Sequence, residues 1–112
     1  MNLPEKGNLL RIFIGESDKH DGVPLYEWII TKAREFGLAG ATVIRGIEGY
    51  GAHSRIHTTK ILRLSEDLPI IIEIIDTLEK IENFLPVIDS SIHEGLATLE
   101  KVDIRFYRFG KK

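Results

Sequence analysis

Four short runs rich in branched and aromatic residues and two longer stretches with apolar residues at three- and four-residue steps predict an α+β domain of order βαββαβ. Glycine and proline punctuate the boundaries between them. That order lays two helices over one face of a four-stranded antiparallel sheet, the ferredoxin-like sandwich. A chain of 112 residues suits one such domain, residues 1–112.

The first strand is "NLLRIFIG" (8–15), which closes on Gly15. "PLYEWIITKAREFG" (24–37) is the first helix, with Pro24 in the first turn and Gly37 just past the end. Leu25, Trp28, Ile29, Ala33 and Phe36 form its apolar stripe. "GATVIRGIEG" (40–49) is the second strand. "TKILRLSEDLPIIIEIID" (59–76) holds the third, with a bend expected at Pro69. The second helix is expected over 76–95. Asp76 and Glu79 form its capping box, and Ile81, Leu85, Ile88 and Ile92 its stripe. Pro86 is expected to kink or split it. "ATLEKVDIRFYRFG" (97–110) is the fourth strand.

Hydrophobic content of 43% against 29% charged marks a globular chain. The net charge of −2 confines any anion site to a local patch. The chain has no cysteine, so disulfides and thiolate metal sites are excluded. "MNLPEKGNLL" shows no signal-peptide pattern, and no apolar run is long enough to span a bilayer. The expectation is a soluble cytoplasmic protein with no nucleic-acid partner.

In "PIIIEIID", Ile70, Ile72 and Ile74 share one sheet face, and Ile71 and Ile75 the other. Two helices cover one face only. The second apolar face implies an oligomer packed sheet to sheet, with termini and loops as the alternative cover. Glu73 interrupts that face and is expected to pair across the subunit contact, with Arg11 or Arg105.

The topology also sends three loops to one end of the sheet: 15–22, 48–60 and 93–98. They carry all four histidines, His20, His53, His57 and His93. In "GIEGYGAHSRIHTTK" (46–60), Gly46, Gly49 and Gly51 bring backbone N–H groups close to a ligand. Arg45, Arg55 and Lys60 supply positive charge, and Tyr50 a face on which a base can stack. That is the chemistry of a nucleotide phosphate site. The glycines match no phosphate-loop or dinucleotide motif, and from spacing alone a mobile hairpin loop, with glycines for its turns and charges for solubility, is the favoured reading. The histidines with Glu16, Asp18 and Glu94 offer metal ligands, but without cysteine or a tight ligand motif they read better as exposed titrating groups. Ser17, Asp18 and His20 lie too close in sequence to assemble a hydrolytic site, and no enzyme is expected.

The blocks "IFIGESDKHDGVPLYEWII", "GLAGATVIRGIEGYGAHSRIHT" and "LRLSEDLPIIIEIID" resemble an uncharacterised bacterial and archaeal family of PII-like proteins, over about residues 8–108. The resemblance implies a homotrimer of ferredoxin-like subunits that needs no cofactor. It implies ATP or ADP bound between subunits at the base of the loop joining strands two and three, and that loop contacting partners. Members encoded beside fluoride-export channels imply a membrane-transport protein as client. By position, Arg45 to Arg55 fall where the PII loop leaves strand two, and Glu94 and Gly95 where the PII phosphate loop precedes strand four. "SIHEGLATLEKV" lacks the glycine- and lysine-rich character of that loop, and the tyrosine of the PII modification site is missing. The reading is a PII-like sensor that binds an adenine nucleotide through Arg45, Gly46, Gly49, Tyr50, Gly51, Arg55, Lys60, Glu94 and Gly95. The alternatives are a metal-binding trimer of the same fold and a ligand-free adaptor.

Overall fold

The computed structural model describes residues 5–50, 67–108 and 110. Its main sheet contains β1 (Lys6–Gly15), β4 (Ala41–Arg45), β5 (Pro69–Asp76) and β6 (Leu96–Asp103). The spatial order is β4-β5-β1-β6, with every neighbouring pair antiparallel. Helices α1 (Leu25–Phe36) and α2 (Leu78–Asp89) pack on one face. This is the α+β ferredoxin-like arrangement.

The period-two pattern of β1 and β5 builds the core. Leu10, Ile12 and Ile14 stand opposite Ile74, Ile72 and Ile70, all on the helix side and buried. Leu25, Ile29 and Ala33 of α1 and Ile81, Phe84 and Ile88 of α2 close over them. Fully burying a branched aliphatic side chain contributes about 1.5–3 kcal/mol, so this interlocked set supplies most of the driving force. Phe84 is the largest of the fully buried side chains, and it lay outside the expected stripe of α2. Leu85 and Ile92, expected in that stripe, are only partly buried at its margin.

Several boundaries differ from expectation. β4 ends at Arg45 rather than 49: the Gly46 N–H still donates to the Pro69 carbonyl at 2.7 Å, but the proline has no N–H to return the bond. Pro69 is the first residue of β5 and not a bend within it, a position where the missing N–H is tolerated. The expected strand residues 59–66 lie outside the described residues. Helix α2 spans 78–89, not 76–95. Its N-cap is Thr77, whose hydroxyl accepts from the Lys80 N–H at 3.2 Å, so the expected capping box from Asp76 to Glu79 does not form. Pro86 sits inside α2 without splitting it, three residues before the end, where only one helical N–H is forfeited. β6 runs from 96 to 103, and residues 104–108 leave the sheet.

The stretch after β1 contains an element that was not expected. Lys19–His20 (β2) and Val23–Pro24 (β3) form a miniature hairpin around Asp21 and Gly22. Both turn residues have positive φ, 51° and 82°, the I′ conformation favoured by Asp-Gly. The hairpin rests on α1 through His20, whose ring stacks on Trp28 at 4.2 Å.

Asp76 has its own task once it is freed from the cap. It is 1% exposed and accepts from the Ala39 N–H at 2.8 Å and the Thr77 N–H at 2.6 Å. Lys80 lies 3.7 Å from the same carboxylate and donates to the Gly37 carbonyl at 2.8 Å. One buried carboxylate thereby joins the end of α1, the approach to β4, the end of β5 and the start of α2.

Replacing Asp76 with alanine leaves the partly buried Ala39 N–H without its acceptor. The expected loss of stability is about 1–3 kcal/mol, read as a lower urea midpoint at unchanged slope.

Candidate functional site

Three connections meet at one end of the sheet, where β1 and β4 finish and β5 and β6 begin. The turn after β1 folds on itself, with the Asp18 carboxylate accepting from the Gly15 N–H at 3.0 Å. The same turn reaches β5. Glu16 donates its N–H to the Leu68 carbonyl at 2.8 Å, and Ser17 donates from its N–H and hydroxyl to Asp67 at 3.1 and 2.8 Å. It also reaches β4, where the Glu16 carboxylate accepts from the Arg45 guanidinium.

Arg45 ends β4 opposite Ile70, so its place follows directly from the strand register. Gly46 allows the chain to leave the sheet against Pro69, since a Cβ there would come within 2.8 Å of the proline Cγ. Gly49 lies beside the same proline at a looser 3.2 Å. Tyr50 is 73% exposed and presents its ring to solvent. Gly95 is held against β1, where a Cβ would meet the Phe13 carbonyl at 2.8 Å and Ile92 and Ile14 at 3.1 and 3.2 Å. Glu94 and His93 line an open cleft of about 380 Å³ with Ser17, Asp18, Lys19 and Ser91. Gly51, Arg55 and Lys60 lie outside the described residues, as do His53 and His57.

Arg45, Gly46 and Gly49 therefore gather around Pro69, while Glu94 and Gly95 face the other side of the 15–18 turn. Glu16, Ser17 and Asp67 are the groups in between; the sequence offered Glu16 only as a metal ligand and Ser17 only as part of a hydrolytic set, both set aside, and Asp67 had no role. No short-range pattern marks them, because Ser17 and Asp67 meet only through the pairing of β1 with β5. Among the described residues, no three His, Asp or Glu side chains gather at metal-ligand spacing.

The outer face of the sheet carries Phe13, Ile44, Ile71, Ile75 and Leu96. Ile44 is 41% exposed, Ile75 39% and Leu96 57%. Glu73 pairs with Arg11 at 2.9 Å within the same chain, not across a subunit contact as expected, and Arg11 also reaches Glu100 at 3.1 Å. The hydrogen bond to Glu73 holds the Arg11 guanidinium above its ordinary pKa. A second hollow of about 520 Å³ opens on this face between Glu73, Ile75, Ala39–Thr42 and residues 102–107. Tyr107 closes its rim by donating to the Ala39 carbonyl at 2.7 Å.

Residues 7–104 match the model of the DUF190 family, described as "Uncharacterized ACR". The chain belongs to that family. It is similar to a UPF0166 protein of Aquifex aeolicus, 46% identical over 99 residues that cover 88% of this chain and 93% of the relative. A UPF0166 protein of Methanocaldococcus jannaschii is 41% identical over 81 residues, covering 72% and 74%. Among solved structures it resembles CPII from Thiomonas intermedia K12, in a form bound to ADP and bicarbonate. That match has a TM-score of 0.65 at 18% identity and covers 88% of each chain. A further CPII structure, described as a nitrogen regulatory PII-like protein and bound to ADP, AMP and bicarbonate, has a TM-score of 0.64 at 15% identity, covering 92% and 97%. The fold is PII-like.

Gly46→Ala is expected to push Pro69 away and break the Gly46–Pro69 hydrogen bond. Gly95→Ala is expected to push the 93–95 turn off β1. Each change should speed amide exchange at residues 15–18 and at 67 and 68, and leave the core amides of Ile12 and Ile72 protected.

Proposed function

We propose that this DUF190 protein is a PII-like sensor that binds an adenine nucleotide at the β4 exit and answers to it through the 48–60 loop. The supporting observation is the meeting of three connections around Arg45, Gly46 and Pro69, in a fold whose structural relative CPII is bound to ADP. Arg45 offers a guanidinium for phosphate, and Tyr50 an exposed ring for the base. Gly51, Arg55 and Lys60 complete the set by sequence position. Such a protein performs no chemistry. The ligand shifts the loop toward the conformation it prefers, and a partner reads the result.

The assembly in this reading is a cytoplasmic homotrimer closed through the outer sheet face. The exposed Ile44, Ile75 and Leu96 support it, since contiguous apolar faces of this kind mark interfaces. The Arg11–Glu73 pair is made within one subunit and can enter such an interface as a neutral unit, while Glu100 adds a second carboxylate to the same guanidinium from a more exposed position. The client in this reading is a membrane-transport protein. No helix among the described residues is long and apolar enough to cross a membrane itself.

Calorimetric titration tests the ligand. ATP or ADP should bind, and Arg45→Ala should weaken binding by about 1.5–3 kcal/mol, the range for a hydrogen bond to a charged group. Flat titrations with ATP, ADP and AMP would end the sensor reading and leave the adaptor alternative. Light scattering tests the assembly. Wild type should be a trimer at micromolar concentration, and Ile75→Glu should dissociate it without unfolding the subunit.

A further inference from the structure

The turn after β1 grips both roots of the 46–68 connection. At the exit root, Glu16 neutralises Arg45. At the return root, the Glu16 N–H and the Ser17 N–H and hydroxyl hold Leu68 and Asp67. The two side chains of the ion pair differ in freedom. Glu16 is 24% exposed, and its backbone is pinned between β1 and Leu68, whereas Arg45 is 58% exposed at the end of an edge strand. Glu16 is therefore the fixed member of the pair and Arg45 the one with room to turn. A carboxylate and a phosphate present the same oxygen pair to a guanidinium fork, so Glu16 fills the place a phosphate would take.

We infer that Glu16 is an internal counter-carboxylate that competes with ligand phosphate for Arg45 and so sets the affinity of the site. The inference rests on the nucleotide reading above and adds a residue that opposes binding. A phosphate that engages Arg45 displaces Glu16, and the lost ion pair is subtracted from the affinity. Glu16 also keeps a free Arg45 from capturing any passing anion, which leaves the site to ligands with further contacts.

The test is calorimetry with two probes, ADP and inorganic pyrophosphate, on five proteins: wild type, Glu16→Gln, Ser17→Ala, Arg45→Ala and Glu16→Gln combined with Arg45→Ala. Glu16→Gln keeps the size of the side chain and removes its charge. Glu16→Ala replaces it if the glutamine variant fails to fold. Ser17→Ala cuts the hydroxyl bond to Asp67 and leaves Arg45 paired. Glu16→Gln is expected to bind about threefold tighter or more, in line with what exposed ion pairs contribute. Ser17→Ala should bind like wild type, and the gain should vanish in the Arg45→Ala background. Equal or weaker ADP binding by Glu16→Gln overturns the inference and leaves the sensor reading standing. So does a gain in Ser17→Ala equal to that in Glu16→Gln, which would assign the effect to loosening of the turn. Tighter pyrophosphate binding by Glu16→Gln, with no ADP heat from any protein, supports the counter-carboxylate and removes the nucleotide reading. No heat from either probe with any protein overturns both.

Discussion

The structure turns on a buried carboxylate at the junction of its elements. Asp76 is the last residue of the strand whose isoleucines form the middle of the core, and it is buried as deeply as they are. A charge in that position is tolerated only when hydrogen bonds replace its water. Two backbone N–H groups do so, one from each of the chain segments that must meet there. Ala39 is held from both sides, its N–H by Asp76 and its carbonyl by Tyr107. The short strand β4 is thus launched from a fixed point. Six residues after Ala39 it delivers Arg45 beside Glu16. The position of a charged group at one end of the sheet is inherited from a carboxylate at the other.

The site itself is built on an unequal division of labour. Strands supply its frame, and turns supply its bonds. β1 and β5 bring residues 15–17 level with 67–69, which lie about fifty positions away in sequence. Short polar side chains then finish the connection. This suits a place where a ligand would be read, because hydrogen bonds among exposed groups exchange readily with water or with another partner, and packed isoleucines do not.

The fold was largely legible in the sequence because its evidence is periodic. Alternation in "PIIIEIID" predicts burial on the side where it is found. Of the expected stripe Leu25, Trp28, Ile29, Ala33 and Phe36, Leu25, Ile29 and Ala33 are buried, Trp28 is partly buried and Phe36 is exposed. Local chemistry was read less well. Thr77 and Asp76 are both good cap residues, and sequence alone does not show that the second is claimed by Ala39 from 37 positions away. The Asp21–Gly22 hairpin carried a readable signal, but flanking strands of two residues each are too short to show alternation. Of the candidate site, the positions of Arg45 and Gly95 followed from topology. The Glu16–Arg45 pair did not, since it depends on the direction of a side chain in a turn.

The far edge of the sheet has a consequence for how the chain behaves in a crowd. Among the described residues, β6 pairs with β1 along one side only, over eight residues, and its Leu96 and Leu99 are exposed. A long open edge is a template on which any extended segment can be added, and stray polymerisation begins there. The chain places Glu100, Lys101 and Asp103 along that stretch. Glu100 and Asp103 are held by Arg11 and Lys6 of the same chain, so an added strand would have to lie against a charged stretch. Colloidal behaviour is therefore encoded in three surface charges that contribute little to the stability of the folded subunit.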